Sequence, residues 1–254
     1  MSAPDPVAFT IFGQDIRWYG ILIALGFVIG ILMAYKRAPE YGIKSDTLLD
    51  FAIWLMPISV IGARAYYVIF SWADYAGDPV SVFDIRSGGL AIHGGLIAGV
   101  TTAVVFCMVK KVNILDLLDL IFPEVALGQA IGRWGNFFNS EAHGGPTDLP
   151  WAIEVDGEMV HPTFLYESVW CLLLFIFLIW FSKRASFKGQ IVCLYGMLYS
   201  VERFFVEGLR TDSLMIGPLR QAQVISAAIF AVSLAAYILL SHRDDVKKTG
   251  KQVE

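Results

Sequence analysis

Five ionisable residues interrupt apolar stretches of this sequence: Arg64, His93, Arg133, Arg203 and Glu207. A charge placed in hydrocarbon costs at least ~2.5 to 3.5 kcal/mol on insertion scales, so each should face protein or water and is a functional candidate. Depth is counted at about 1.5 Å per helical residue from the lysine-flanked ends of their runs. Arg64 then stands roughly 24 Å up, Arg133 about 27 Å, Arg203 about 20 Å and Glu207 about 26 Å, in a core ~30 Å thick. All four fall in the outer half. His93 enters from the opposite end, about 7 to 8 Å in by the same ruler, and Tyr19 sits near the outer end of its own run. Three guanidiniums at one level suggest an anionic ligand, because arginine binds phosphate through a planar set of donors, and a phospholipid is the nearest such anion. Arg64 has no acid within a helical turn, whereas Arg203 has Glu207 at i+4 and Glu202 beside it. Which of the two acids orients Arg203 is open at this stage. Imidazole, with a reference pKa near 6.5, is suited to take a proton from a thiol near 8.5.

Each residue also has a plainer reading. One arginine can snorkel to the interface, a lone histidine can be an interhelical hydrogen bonder, and Arg203 can be half of an ion pair. His93 lies in Ser87-Gly88-Gly89-Leu90-Ala91-Ile92-His93-Gly94-Gly95-Leu96-Ile97-Ala98-Gly99, where Gly95 and Gly99 form a small-xxx-small packing face.

The elements that must carry these residues are membrane helices. The chain has 254 residues, 56% hydrophobic and 17% charged, with a mean hydropathy of +0.61. That composition is far too apolar for an ordinary soluble domain. A ruler of roughly 20 apolar residues predicts seven spans: 18–35, 48–70, 88–109, 115–138, 163–181, 190–206 and 222–240. The fourth carries Asp116, Asp119 and Pro123, so it begins either near Leu115 or near Pro123. Lys36, Lys44, Lys110, Lys111, Lys183, Lys188, Lys247, Lys248 and Lys251 fall in alternate segments, and the intervening loops have none. The positive-inside rule then puts the N-terminus outside and the C-terminus in the cytoplasm. The expectation is an all-α polytopic membrane protein, a single integral membrane domain over 1–254, with a long outside loop at 135–162 and a cytoplasmic tail at 241–254. No basic residue precedes Arg17, so the first apolar run reads as a retained span.

Several chemistries are disfavoured. A net charge of −4 offers no basic stripe for nucleic acid. Cys107, Cys171 and Cys193 form no CxxC pair, and the four histidines match no zinc signature, so no metal or organic cofactor is expected. There is no GxSxG, and no lysine inside a span to hold a Schiff base.

The run Gly132-Arg133-Trp134-Gly135-Asn136-Phe137-Phe138-Asn139-Ser140-Glu141-Ala142-His143-Gly144 resembles the signature of the prolipoprotein diacylglyceryl transferase family. Other blocks follow in that family's order: Gly62-Ala63-Arg64, His93-Gly94-Gly95-Leu96, His161-Pro162-Thr163-Phe164-Leu165-Tyr166-Glu167, and Arg203-Phe204-Phe205-Val206-Glu207-Gly208-Leu209-Arg210. The resemblance implies a multi-pass enzyme of the bacterial plasma (inner) membrane. It would transfer the diacylglyceryl group of phosphatidylglycerol to the lipobox cysteine thiol of a prolipoprotein signal peptide, forming a thioether and releasing glycerol phosphate. By resemblance, His93 is the catalytic histidine, Arg133, Asn136 and Glu141 are the signature polar residues, Arg203 and Glu207 are the later pair, and Tyr19 and Tyr199 match the family's tyrosines. His93, Arg133, Arg203 and Glu207 are thus the expected catalytic residues. Arg133, Asn136, Glu141, Tyr19, Tyr199 and Arg64 are the expected substrate contacts. Two other readings stand beside this one, an outer-leaflet phospholipid headgroup hydrolase and an anion or lipid transporter. The transporter should spread its arginines through the membrane's depth.

Overall fold

The computed structural model describes residues 5–85 and 88–250, with side chains to Asp244. Ser87 of the glycine-rich segment, the side chains of Lys247 and Lys248, and Lys251 lie outside the described residues. In chain order the elements are β1 (Val7–Ile11), β2 (Gln14–Arg17), α1 (Trp18–Arg37), α2 (Ser45–Phe70), the single turn α3 (Trp72–Tyr75), α4 (Ile92–Lys110), α5 (Ile114–Phe138), β3 (Ile153–Val155), β4 (Glu158–Val160), α6 (Thr163–Ser182), α7 (Gln190–Leu209), β5 (Met215–Ile216), β6 (Leu219–Arg220) and α8 (Gln221–Gly250). The protein is a mostly helical, polytopic membrane protein. Among the described residues, five stretches are long and apolar enough to cross a bilayer: Trp18–Tyr41, Ser45–Phe70, Ile92–Lys110, Thr163–Ser182 and Gln221–Asp244. The other two long helices, α5 and α7, carry Arg133, Asn136, Tyr199, Arg203 and Glu207.

The all-α expectation needs correcting, because three antiparallel two-stranded hairpins accompany the helices. Their turns are written in the sequence. Asp156-Gly157, at φ 51° and 84°, joins β3 to β4, and Phe12-Gly13, at φ 50° and 75°, joins β1 to β2. Two successive left-handed residues are what a tight hairpin turn requires. Helix α5 continues through Phe138, the end expected for the fourth span, so residues 135–138 of the loop expected at 135–162 are helical.

The chain divides into two compact units, Tyr35–Leu117 and the residues on either side of it. In the larger unit α1 and α5 run antiparallel through small residues. A Cβ at Gly26 would lie 3.2 Å from Gly128 Cα, one at Gly30 would lie 3.4 Å from Glu124 Cβ, and one at Gly135 would lie 3.1 Å from Tyr19 Cγ. Close backbone approach substitutes for the hydrophobic driving force that lipid abolishes. Ala126, Leu174, Leu178, Ile191 and Tyr195 form the core between α5, α6 and α7. Phe137, Ile153, Val155, Val160 and Phe164 seat the β3–β4 hairpin on α5 and α6.

Helix α5 is continuous across Pro123, so it begins at Ile114 rather than at the proline. Buried Asp119 is satisfied from α7: Gly189 N donates to its Oδ2 at 2.6 Å and Val192 N to its Oδ1 at 2.9 Å. The first amides of a helix have no intrahelical acceptor and carry partial positive charge, which is why a carboxylate is tolerated here.

In the smaller unit α2 packs antiparallel on α4. A Cβ at Gly62 would lie 2.8 Å from Gly94 O, and one at Gly99 would lie 3.3 Å from Ser59 Oγ. The Phe51 and Phe106 rings meet at a tilt with centroids 5.3 Å apart, and Lys110 pairs with Asp50 at 2.7 Å. Here α4 starts at Ile92, four residues later than the span expected from Gly88. Gly88 and Gly89 have φ of 98° and 72°, outside helical backbone, so His93 lies in the first helical turn rather than 7 to 8 Å along it.

Candidate active site

Three helices of the larger unit bring their charged residues to one place. Arg133 on α5 and Arg203 on α7 share a single carboxylate, Glu167 on α6. Arg133 Nη1 lies 2.8 Å from Glu167 Oε2, and Arg203 Nη1 donates to Glu167 Oε1 at 2.8 Å. Arg203 Nη2 is also 2.7 Å from Glu207 Oε2, one turn along α7. That last contact is an ion pair without aligned hydrogen-bond geometry. The Tyr199 hydroxyl accepts a long hydrogen bond, 3.4 Å, from Arg133 Nη2.

Burial is divided by sign. The side chains of Glu167 and Glu207 are 2% and 3% exposed, while those of Arg133 and Arg203 are 19% and 18% exposed. The carboxylates therefore sit behind the guanidiniums. Each guanidinium has five N–H donors. The contacts above engage the two terminal amino groups of each, and donors remain on both arginines for a further acceptor. An anionic oxygen cluster is the ligand such an arrangement suits, because charge-assisted and bidentate hydrogen bonds are the strong ones. Glu202 is buried nearby, and neither of its oxygens has a hydrogen-bond partner among the described residues. It is Glu207, with Glu167, that holds Arg203.

The signature segment turns sharply just past α5. Ser140 and Ala142, at φ 53° and 58°, fold the chain back so that Glu141 Oε1 accepts from Asn136 Nδ2 at 2.9 Å and Asn139 Nδ2 at 3.3 Å. Gly144 N then donates to His161 O at 2.9 Å and Gly145 N to Leu209 O at 3.0 Å, which ties this loop to the ends of α6 and α7. A Cβ at Gly144 would lie 3.0 Å from Leu209 O, so only glycine fits. At the end of α7, Arg210 grips Asp212 with Nε at 2.9 Å and Nη2 at 2.7 Å, and this hydrogen-bonded guanidinium holds the Asp212 carboxyl below its ordinary range. Tyr19 packs on Gly135, and its exposed side chain makes no hydrogen bond among the described residues.

Arg64 and His93 belong to the smaller unit. Arg64 departs from expectation. It is 6% exposed and spends its donors on backbone: Nε on Val82 O at 2.8 Å, Nη2 on Ser81 O at 2.8 Å, and Nη1 on Gly88 O at 2.9 Å and Gly89 O at 3.1 Å. Its guanidinium also stands 5.1 Å from the Tyr75 ring. An arginine so saturated is a poor phosphate donor, and its lack of a nearby acid reflects carbonyl partners that sequence does not display. His93 is exposed, with the Tyr66 ring 6.1 Å away.

Residues 6–239 match the family described as prolipoprotein diacylglyceryl transferase. The chain belongs to that family. Among curated relatives named phosphatidylglycerol–prolipoprotein diacylglyceryl transferase, it is 52% identical to that of Clostridioides difficile over 94% of this chain and 97% of the relative. It is 54% identical to that of Finegoldia magna, over 92% and 95%, and 45% identical to that of Gloeobacter violaceus, over 89% of each. As a diacylglyceryl transferase family member the chain holds one central residue that reading the sequence missed, Glu167. The signal was available, because Glu167 is the one charged residue in α6 and the rule that singled out the others applies to it equally.

Proposed function

We propose that this protein transfers the diacylglyceryl group of phosphatidylglycerol to the lipobox cysteine thiol of a prolipoprotein. In this reading the seven long helices all span the bacterial plasma membrane, the N-terminus lies outside, the tail at 241–254 is cytoplasmic, and the chemistry takes place in the outer layer. The thiol sulfur attacks the glyceryl carbon that bears the phosphate ester. A C–S bond forms and the C–O bond breaks, the bonding pair leaves on the phosphate oxygen, and the thiol proton passes to a base. The products are a thioether and glycerol phosphate.

The role of each residue follows from its chemistry. Arg133 and Arg203 would hold the phosphodiester and stabilise the charge that collects on it as the C–O bond breaks, the electrostatic stabilisation that usually contributes most to catalysis. Glu207 orients Arg203, and Tyr199 orients Arg133. Asn136, Glu141 and Tyr19 contact substrate at the outer rim. His93 takes the thiol proton, since the thiolate is the competent nucleophile. The observation that carries the reading is the pair of guanidiniums backed by Glu167 with unspent donors, in a chain whose curated relatives are named for this substrate pair.

The test is direct. Purified protein is incubated with phosphatidylglycerol and a cysteine-containing lipobox peptide, and mass spectrometry should detect the diacylglyceryl-peptide. Diacylglycerol and glycerol phosphate without a peptide adduct would instead identify a hydrolase, with water as the nucleophile.

A further inference from the structure

The loss of Arg64 as a phosphate ligand leaves a buried arginine whose cost must be offset by some other service. We infer that Arg64 is a positioning residue for His93, acting through the backbone that leads into α4. The inference rests on the reading of His93 as the base that deprotonates the thiol.

The geometry converges on the few residues just before His93. Gly88 and Gly89 present their carbonyls to Arg64 Nη1 only because φ of 98° and 72° turns them inward, a backbone glycine tolerates and other residues resist. Two residues on, Ala91 N donates to Ala63 O at 3.1 Å, the carbonyl adjacent to Arg64 in sequence. Ala91 O then accepts from Gly95 N at 3.3 Å, the first bond of the helix that carries His93 at its second position. One turn of α2 therefore holds the entry to α4 by three hydrogen bonds within four residues. The remaining donors of Arg64 fasten the short turn Pro79–Phe83, through Ser81 O and Val82 O, to the same guanidinium. Tyr75 covers its face. Without the guanidinium, four carbonyls lose their shared donor, and the entry to α4 keeps only the Ala91 link to α2 among the hydrogen bonds described above.

Among the described residues of this unit, the titratable groups on the elements around His93 are those of α2 and α4 and, between them, Asp74, Tyr75, Asp78 and Asp84. On α2, the helix packed against α4, Tyr66 and Tyr67 lie at this end and Asp46 and Asp50 at the other. On α4 the charged Lys110 is at the far terminus, paired with Asp50. Asp78 faces its own turn, accepting from Val80 N at 3.2 Å.

A displaced base has a kinetic signature that a lost binding group lacks. Misplacing a reacting group by about 1 Å can cost around a hundredfold. The deficit should shrink where the thiol ionises unaided: with a thiol pKa near 8.5, the thiolate fraction rises from about 3% at pH 7 to about 76% at pH 9. For Arg64→Gln we expect kcat at pH 7 to fall about ten- to hundredfold with KM for phosphatidylglycerol within about twofold, and the deficit to fall at least about fivefold by pH 9. Gly89→Ala leaves the arginine intact but spoils its seat, because the new Cβ would lie 2.9 Å from Tyr67 Cε1 and fall on Arg64 Nη1; it should show the same relief at high pH. Arg64→Lys, which keeps the charge with fewer donors, should fall between Arg64→Gln and the parent. These variants are measured beside His93→Gln, with phosphatidylglycerol micelles and lipobox peptide as substrates. A raised KM with unchanged kcat would return Arg64 to the lipid-binding machinery and overturn the inference, as would a deficit equal at pH 7 and pH 9. If His93→Gln loses turnover with relief at pH 9 while the Arg64 and Gly89 variants do not, the positioning role alone fails. Near-parental activity of His93→Gln removes the base reading itself.

Discussion

Replacing Glu167 by glutamine changes one atom and sets two guanidiniums against each other. In the parent each carboxylate oxygen serves its own arginine at 2.8 Å. Glutamine retains one carbonyl oxygen, so one arginine keeps its acceptor while the other faces an NH2 group, donor against donor. That arginine must move. Removing one partner from a buried ion pair typically costs about 3 to 5 kcal/mol, and the partial exposure of both guanidiniums, 19% and 18%, lets the stranded one relax toward solvent and favours the lower figure. With about 3 kcal/mol shared evenly between folding and the transition state, kcat/KM for phosphatidylglycerol should drop by about tenfold, which corresponds to ~1.4 kcal/mol. The thermal midpoint in detergent should also fall. Glu167→Asp keeps the charge but withdraws it by roughly 1.5 Å, and should lie between glutamine and the parent. The assay follows diacylglyceryl-peptide by mass spectrometry across phosphatidylglycerol concentrations, alongside a thermal scan of the same preparation. A Glu167→Gln protein within threefold of the parent in kcat/KM, with an unshifted midpoint, would refute the claim that this carboxylate sets the spacing of the two arginines.

Other outcomes can be stated briefly. Arg203→Lys keeps the charge and loses the planar set of donors, so it should stay folded and lose much of its turnover; near-parental kcat and KM would reduce Arg203 to a partner of Glu207. Gly62→Ala forces a Cβ to 2.8 Å from Gly94 O and should destabilise the α2–α4 pair by about 1 to 3 kcal/mol, read as a lowered thermal midpoint, whereas an unchanged midpoint would mean the helices can separate without penalty. Single cysteines in the segments 139–162 and 183–189, in a background without the three native ones, should differ in labelling by an impermeant maleimide in intact cells; equal labelling would overturn the proposed topology.

Hydropathy located the helices well because chain length per crossing and apolar content are one-dimensional quantities. α2, α5 and α6 each begin within three residues of their expected starts. Continuity through Asp116, Asp119 and Pro123 was not legible, since what makes Asp119 tolerable is the amino end of α7, some 70 residues away. The hairpins were legible in part: Asp156-Gly157 between Val155 and Glu158 is a turn signal that a scan for membrane helices passes over. At the candidate site, depth counting singled out Arg133, Arg203 and Glu207, and the structure joins all three. The same counting could not show that Arg64 is spent on carbonyls, because backbone acceptors have no letter in a sequence. Glu167 was legible and overlooked.

The hydrogen bonds from Gly189 and Val192 to Asp119 lie at one end of α7, and Arg203 meets Glu167 near the other, roughly 21 Å away at 1.5 Å per residue. Both sets of contacts depend on one quantity, the rotation of α7 about its own axis. A slip of a single residue would turn the helix by about 100° and carry every one of these groups off its partner together. The helix thus has one permitted register, fixed like a key cut at both ends, and the apolar residues between the two contacts need only be the right size to fill their space.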